Sequence, residues 1–245
     1  MRLGWLWGLG LIVGLFCGGA AHAQVDNTFT RAEAYRAERA AACRAGDLDA
    51  CAQEGQNYSA GVRVAQNLPL AVEFLGRACD GGRLAACVNL GTLYAEPGRS
   101  QHRPDTAMAL FERACAGGET GGCAAGSAAL RNADGRTYRD WTRAESFLRR
   151  ACDRELTESC WRLGVVYLNG DGVPQDFGRA AGPLEKACLG GRRQACEPAA
   201  RIVGSGRGVP EDGAKAERLI NHGCELGDSN ACQVRDQLRA FMAGQ

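Results

Sequence analysis

The apolar positions of this chain follow a helical period, and the same pattern returns along the chain. Small or apolar residues stand three, four and seven positions after a cysteine, which places them on one face of a helix. In one copy these residues are Leu90, Gly91 and Tyr94, after Cys87. We name this predicted element helix A. A glycine within a helix costs about 1 kcal/mol relative to alanine, so its recurrence predicts a close approach by a neighbouring helix.

A second predicted element, helix B, precedes the next cysteine. It has an alanine eight positions before that cysteine and a larger apolar residue four positions before it. The alanines are Ala71, Ala107, Ala144, Ala180 and Ala216, and the larger residues are Leu75, Phe111, Leu148, Leu184 and Ile220. Glycine and proline separate the two helices, as in the stretch 169–174. Pro183 falls inside a predicted helix B and is expected to kink or shorten it.

The cysteines set the period of the pattern. Apart from Cys17 they form six pairs with seven residues between the members: Cys43/Cys51, Cys79/Cys87, Cys115/Cys123, Cys152/Cys160, Cys188/Cys196 and Cys224/Cys232. The first members advance by 36, 36, 37, 36 and 36 residues. Such a period indicates an array of stacked helix pairs. The extra residue is expected in the turn at 132–138. The third repeat has only small residues at 124–127, so we expect it to pack least well.

Each cysteine pair spans the short turn between a helix B and the next helix A. A disulfide is geometrically plausible there, and on the loop-entropy model each closed loop of about nine residues contributes roughly 2.5 kcal/mol. The alternative is structural zinc, whose cysteines are two to four residues apart. After Cys17 and His22 are set aside, only His102 and His222 could add imidazole ligands. We therefore predict six disulfides, no metal site and no cofactor.

The N-terminal segment has the features of a secretory signal peptide. Arg2 is its one charged residue, the stretch 3–16 is apolar, and Ala21-His22-Ala23 provides small residues at a cleavage site. The alternative is an uncleaved membrane anchor. Cleavage before Gln24 would remove Cys17 and leave twelve cysteines, which can pair completely. We predict a periplasmic or secreted protein that has no membrane association after cleavage.

The predicted domain organisation follows from the signal-peptide features and from the period of the cysteines. Residues 1–23 are the signal peptide, and residues 24–245 form a single repeat domain with about five full repeats and a capping helix at each end. The 29 basic and 28 acidic residues nearly balance. A formal charge of +1 argues against nucleic acid as the partner. We expect a monomer.

One repeat unit resembles a known family. The stretch 163–180, LGVVYLNGDGVPQDFGRA, resembles the Sel-like repeat, a relative of the tetratricopeptide repeat. The cysteine register over residues 30–240 is similar to that of the Helicobacter cysteine-rich protein family. Ala200 departs from the pattern at the glycine position, and Leu130 and Val203 depart from it at the tyrosine position. The resemblance implies an all-α, right-handed αα-superhelix that binds peptide, protein or cell-wall ligands.

An enzymatic alternative accompanies the same resemblance, because some members are classed as penicillin-binding proteins or β-lactamases. No serine of this chain has a lysine three residues later, and the S-D-N and K-T-G motifs are absent. No catalytic residue can therefore be assigned, and we keep an amide hydrolase of the β-lactamase type only as the alternative function.

The candidate ligand-binding residues lie on helix A, two positions after a cysteine. They are Gln53, Asn89 and Arg162. A residue two positions on lies about 200° around the helix, away from the core face, so these side chains are expected to be partly exposed and aligned on the concave surface. The alternative is that they are ordinary solvated residues. Trp141 and Trp161 could pack in the core or offer an aromatic platform, and Arg192-Arg193 could be exposed charges or an anion clamp.

Overall fold

The computed structural model describes residues 34–62 and 64–243, with side chains up to residue 240. The predicted signal peptide lies outside these ranges. The described chain forms twelve α-helices in sequence: α1 (34–44), α2 (Leu48–Ala60), α3 (Leu68–Asp80), α4 (Leu84–Ala95), α5 (Pro104–Ala116), α6 (Thr120–Leu130), α7 (Trp141–Asp153), α8 (Thr157–Asn169), α9 (Phe177–Leu189), α10 (Cys196–Gly204), α11 (Gly213–Glu225) and α12 (Ser229–Ala243). None of these helices is long and apolar enough to cross a membrane.

The even-numbered helices are the predicted A helices and the odd-numbered ones are the B helices. Each packs mainly on the helix before it and the helix after it, as in an array that grows by stacking. Most B helices after the first begin at an Asn or Asp whose side chain accepts a backbone N–H of the first turn: Asn67, Asp140, Asp176 and Asp212. The prediction of an all-α helical-repeat solenoid is confirmed.

Six disulfides clamp the hairpins. They join Cys43–Cys51, Cys79–Cys87, Cys115–Cys123, Cys152–Cys160, Cys188–Cys196 and Cys224–Cys232. In every case the last turn of a B helix is linked to the start of the next A helix, and the two Cα atoms lie 4.5–4.7 Å apart. Each bond therefore fixes one turn locally and joins two successive layers.

The recurring glycine of helix A is needed for close helix packing. A Cβ atom added to Gly55 would lie 2.6 Å from the Leu75 side chain, and one added to Gly91 would lie 2.7 Å from Phe111. The same holds for Gly164 and Leu184, at 2.6 Å. The large residue of helix B thus occupies the space that a side chain at the glycine position would take, which confirms the predicted close approach.

The buried core divides into two clusters that meet at α7. Ala144 and Phe147 belong to the N-terminal cluster, whereas Leu148, on the same helix, belongs to the C-terminal cluster. Tyr138 and Trp141 are partly buried and pack against both. The start of α7 and the turn before it therefore join the two halves of the array.

Pro183 does not shorten its helix, so that part of the prediction was wrong. Helix α9 has 13 residues, as do α7 and α11, and continues through the proline. The residue before a proline is normally disfavoured in the helical region because its Cβ meets the pyrrolidine ring. Here that residue is Gly182, which has no Cβ, so the main clash is removed.

Candidate functional site

The three candidate residues on the A helices differ in their surroundings. Gln53 is exposed, and Asn89 and Arg162 are half-buried. The Nε2 atom of Gln53 donates to Oδ1 of Asn57, 3.4 Å away on the same helix. The equivalent positions in other repeats hold Ala125, Pro198 and Val234. The polar row is therefore confined to three repeats, and of its members Arg162 lines a hollow in the surface.

A hollow of about 120 Å³ lies beside Arg162. One wall is helix α8, and the other is the connection between α6 and α7, residues 131–140. Its lining includes Arg136, Tyr138, Trp161, Arg162, Val165 and Asp171. We name these six residues the aromatic–arginine face. It combines two aromatic rings, two guanidinium groups and apolar side chains on one surface.

The 131–140 connection is held in a defined conformation by Asp134. The Oδ1 atom of Asp134 accepts the backbone N–H groups of Arg136 and Thr137, at 2.8 and 2.9 Å. The hydroxyl of Thr137 donates to the other oxygen, and these hydrogen bonds hold the Asp134 pKa below its usual range. Arg136 then reaches the next repeat and pairs with Asp171 at 2.8 Å. The turn is thus fixed at its own centre and against the connection that follows α8.

Tyr138 and Trp141 form an aromatic pair at the edge of the hollow. Their ring centroids are 5.6 Å apart, and Trp141 meets Tyr167 edge-on at 5.5 Å. Burial raises the pKa of the Tyr138 hydroxyl, against the opposing positive charge of Arg162. Trp141 therefore packs between the two core clusters. Of the two roles considered for it, core packing and an aromatic platform, the structure favours core packing.

Trp161 has a different environment. It is half-buried, lines the hollow, and has the Arg192 guanidinium 5.4 Å from its ring centroid. Glu158 bridges the two arginines, at 2.7 Å from Arg162 and 3.2 Å from Arg192. Arg193 donates instead to the backbone carbonyl of Gly227 at 3.3 Å. Arg192 and Arg193 consequently do not form a clamp, because their side chains bind groups in different repeats.

A second charged cluster lies between α7, α8 and α9. Glu145 pairs with Arg149 and with Arg179, each at 2.5 Å, and the Arg179 guanidinium lies 4.1 Å from the centroid of the Tyr167 ring. Burial and the neighbouring Glu145 carboxylate raise the Tyr167 pKa to about 12. Tyr167 is fully buried. This cluster joins three helices and leaves no reactive group exposed, so it is a stabilising network.

The two histidines among the described residues, His102 and His222, lie in different repeats. Among the described residues, no group of three or more His, Cys, Asp or Glu side chains could hold a metal ion. His102 is exposed in the connection before α5, and Nδ1 of His222 lies 3.8 Å from Glu225 on α11.

Sequence reasoning missed Tyr138 and Glu158 as parts of the aromatic–arginine face and its surroundings. Tyr138 lies in the connection that breaks the 36-residue period. The one signal for it was that extra residue, since an insertion in an otherwise regular array marks a place where the surface changes. Glu158 follows the usual pattern of an acid in the first turn of a helix, so nothing distinguished it.

Comparison with known proteins agrees with the helical-repeat architecture. The family model described as Sel1 repeat matches residues 40–82, 84–119, 157–191 and 199–228, which together make up more than half of the chain. Residues 120–156 are outside the matched repeats. No curated protein sequence matches this chain.

Several solved structures have a similar fold. A protective antigen of uropathogenic Escherichia coli with an SLR fold has 26% identity and a TM-score of 0.59 over 78% of this chain. The match covers 40% of that antigen, so this chain spans less than half of its length. A Sel1 repeat protein from Oxalobacter formigenes has 22% identity and a TM-score of 0.49, covering 77% of this chain and 75% of that one. Helicobacter pylori cysteine rich protein B has 24% identity and a TM-score of 0.39, covering 57% of this chain and 99% of that one.

Proposed function

Because this chain belongs to the Sel1 repeat family, we propose that its disulfide-clamped solenoid binds an extended peptide segment of a partner across the aromatic–arginine face. The family and the helical-repeat fold support a scaffold for protein interactions. A cell-wall fragment carrying a peptide has the same backbone groups and is the second ligand of this class.

The observation that carries the proposal is the size and lining of the hollow beside Arg162. Pockets that enclose a drug-sized molecule usually measure about 300–1,000 Å³. A volume of about 120 Å³ instead suits one side chain or one carboxylate of a larger partner. Trp161 and Tyr138 provide apolar surface, and Arg162 provides charged N–H donors. Aromatic and arginine side chains of this kind contribute strongly to the affinity of protein interfaces.

The charges at Arg162 and beside the face, at Arg192 and Glu158, favour a carboxylate on the ligand. Arg162 and Arg192 share the single Glu158, so the group of three side chains has an excess of one positive charge. A carboxylate could take the place of Glu158 on Arg162 and form charge-assisted hydrogen bonds. From there, we propose that the peptide runs along the A helices toward Asn89 and Gln53, whose amide groups can bind its backbone.

We propose a periplasmic or secreted location for the protein. Six disulfides among the described residues favour an oxidising compartment outside the cytoplasm. Export would use the N-terminal segment as a signal peptide, with cleavage before Gln24 and a mature repeat domain of residues 24–245. Intact mass measurement of the secreted protein tests both the cleavage site and the six disulfides.

Binding is proposed here rather than β-lactamase-type hydrolysis, because the sequence has neither the serine motif nor the lysine motif of those enzymes. A chromogenic β-lactam tests this choice. We expect no efficient turnover by the oxidised protein, and rapid hydrolysis would contradict the choice.

The binding proposal can be tested with a displayed random peptide library selected on the oxidised protein. Selected peptides are then measured by fluorescence anisotropy against the parent, Trp161→Ala, Arg162→Ala and the triple variant Gln53→Ala/Asn89→Ala/Arg162→Ala. Loss of a central Trp contact is worth about 2 kcal/mol or more, so we expect the Kd to rise roughly 30-fold for Trp161→Ala. Arg150→Ala on α7 is the matched control, since Arg150 is exposed on a B helix and outside the face. Unchanged binding by Trp161→Ala and Arg162→Ala would contradict the proposal.

A further inference from the structure

A groove of about 490 Å³ lies between α10, α11 and α12. Its lining is mostly apolar, with Ala200 and Ile220 buried and Val234 and Leu238 of α12 on one side. Pockets of about 300–1,000 Å³ with such a lining are typical of sites for small molecules. The groove shares no residue with the aromatic–arginine face, whose hollow is too small for a ligand of that size.

The groove is present because two glycines replace large side chains of the preceding layer. Counted from the cysteines, Gly204 of α10 corresponds to Leu168 of α8, and Gly213 of α11 corresponds to Phe177 of α9. Leu168 and Phe177 are partly buried and pack against the C-terminal core cluster. A Cβ added to Gly213 would meet no atom within 4 Å. The sequence therefore leaves open, in one layer, space that a leucine and a phenylalanine take in the layer before.

The charges at the rim of the groove are unequal. Glu197 and Arg201, one turn apart on α10, form a pair at 3.5 Å. Glu217 of α11 also lines the groove, is exposed, and belongs to no ion pair among the described residues. It follows Ala216, which faces Gly204, so it stands at the end of the groove where α10 ends. The rim therefore has an excess of one negative charge, at the end away from Glu197.

We propose that this groove binds a small amphipathic cation, a molecule that joins an apolar chain to one protonated amine. The chain lies against Ala200, Ile220 and Val234, and the amine lies next to Glu217. Burial of the chain supplies most of the affinity, because an exposed ion pair contributes little. An anionic ligand of the same shape meets the excess negative charge instead, since Arg201 is already paired. The preferred ligand charge is thus opposite to that proposed for the aromatic–arginine face.

Isothermal titration calorimetry of the oxidised, secreted protein with simple alkyl compounds tests the proposal. Octylamine, octanol and octanoate have the same chain and differ in charge at neutral pH. Octylamine is expected to bind about fivefold more tightly than octanol, as for an exposed ion pair, and octanoate more weakly than both. Along the series hexylamine, octylamine and decylamine, each added methylene group is expected to lower the Kd about two- to fourfold.

A variant that fills the groove locates the binding. Gly213→Phe introduces the side chain that Phe177 provides in the preceding layer, and octylamine binding should weaken at least about tenfold. Because an added Cβ meets no atom there, the melting temperature should not fall. Gly76→Phe on α3 is the matched control, since an added Cβ is equally unobstructed there, and it should bind as the parent does. Leu238→Asn, at a residue 44% exposed, removes part of the apolar lining without filling the groove and should also weaken binding.

A second variant separates the charge from the apolar lining. In Glu217→Gln the preference for octylamine over octanol should disappear, while the Kd of octanol stays as in the parent. Glu225→Gln, at an exposed position of the same helix outside the groove, is the matched control and should keep the preference.

Three results would overturn the proposal. The first is a folded parent that does not bind octylamine, or that binds it only after residues 241–245 are removed, because the chain's own end would then fill the groove. The second is parent-like binding by folded Gly213→Phe and Leu238→Asn, which would place the amine elsewhere on the surface. The third is an equal Kd for octylamine and octanoate, since the groove would then not recognise a positive charge.

Discussion

The helix pairs α6–α7 and α8–α9 have the same connectivity and disulfide position but fill their cores from opposite sides. In α8 the A helix supplies the volume, with Leu163, Val166 and Tyr167 buried. In α6 the buried residues besides the cysteine and Leu130 are Gly122, Gly126 and Ser127. The Phe147 ring of α7 lies over Gly126, where an added Cβ would be 2.5 Å from it. In the α6–α7 pair, helix B thus supplies the side-chain volume that helix A supplies in the α8–α9 pair.

This comparison shows what fills the third repeat, which was expected to pack least well. The small residues at 124–127 are not followed by an empty layer, because Phe147 occupies the space and is only 4% exposed. It also agrees with the gap in the family match, since residues 120–156 are the segment in which large and small positions are exchanged. What a repeat must keep is the total volume of the side chains that face each other, and either helix can supply that volume.

The largest expected effect in this comparison is that of Phe147→Ala. A buried Phe→Ala change costs about 3–5 kcal/mol, and here the α6 residue that faces Phe147 is Gly126, which cannot fill the cavity. Leu184→Ala in the α8–α9 pair is the matched change, and we expect it to cost less, since the larger neighbours on α8 can relax. Chemical denaturation of the oxidised variants measures both. A greater loss for Leu184→Ala would contradict the idea that α6 depends on its partner helix.

The next effect concerns the disulfides of the two repeats. Replacing Cys115 and Cys123 by serine, or Cys152 and Cys160, should cost about 2–4 kcal/mol in either pair on the loop-entropy model. The two variants should differ in where backbone amides lose protection from hydrogen exchange. Without its disulfide, α6 retains three glycines and little apolar surface, so its amides should lose protection. Hydrogen exchange followed by mass spectrometry measures this. Equal protection of α6 and α8 in the two variants would show that the disulfide is not the main local constraint.

A smaller effect is expected from Gly126→Ala. The added methyl group meets Phe147, and overpacking of this kind costs about 1–3 kcal/mol. Gly76→Ala on α3 is the control, because nothing lies within 4 Å of a Cβ at that position. There the better helix propensity of alanine should stabilise the protein by up to about 1 kcal/mol. Thermal melting measures the sign of the stability change for both variants. Stabilisation by Gly126→Ala would mean that the Phe147 ring is free to move away.

The smallest effect at neutral pH should come from the ionisation of Tyr167, whose counterpart in α6 is Leu130. Its pKa is raised to about 12 in the folded protein, against about 10 in an unfolded chain. The unfolded state therefore loses this proton first, so the contribution is constant below pH 10 and stability falls between pH 10 and 12. Denaturation at pH 8 and pH 11 measures the difference. Tyr167→Phe should reduce the fall, and an equal fall in both proteins would assign it to other groups.

The fold could be predicted because its determinants are periodic. Cysteines 36 residues apart, a glycine such as Gly91 and a facing residue such as Phe111 each repeat in register, so every copy supports the reading of the others. The aromatic–arginine face could be predicted only in part. Arg162 is at a periodic position, but Tyr138 is brought to it by a turn that depends on the hydrogen bonds of Asp134 and on the pair of Arg136 with Asp171. Such contacts occur once and leave no pattern in the sequence.

The disulfides have a consequence for how the protein acquires its covalent structure. Twelve cysteines can be joined in about ten thousand ways, by the arithmetic that gives 105 for eight. Every bond here links a cysteine to the next one along the chain, eight residues away. If the chain is exported from its N-terminus, as proposed above, the two members of each pair arrive together and before the following pair. Oxidation in order of arrival therefore yields the native connectivity, and correct pairing needs little later reshuffling by an isomerase.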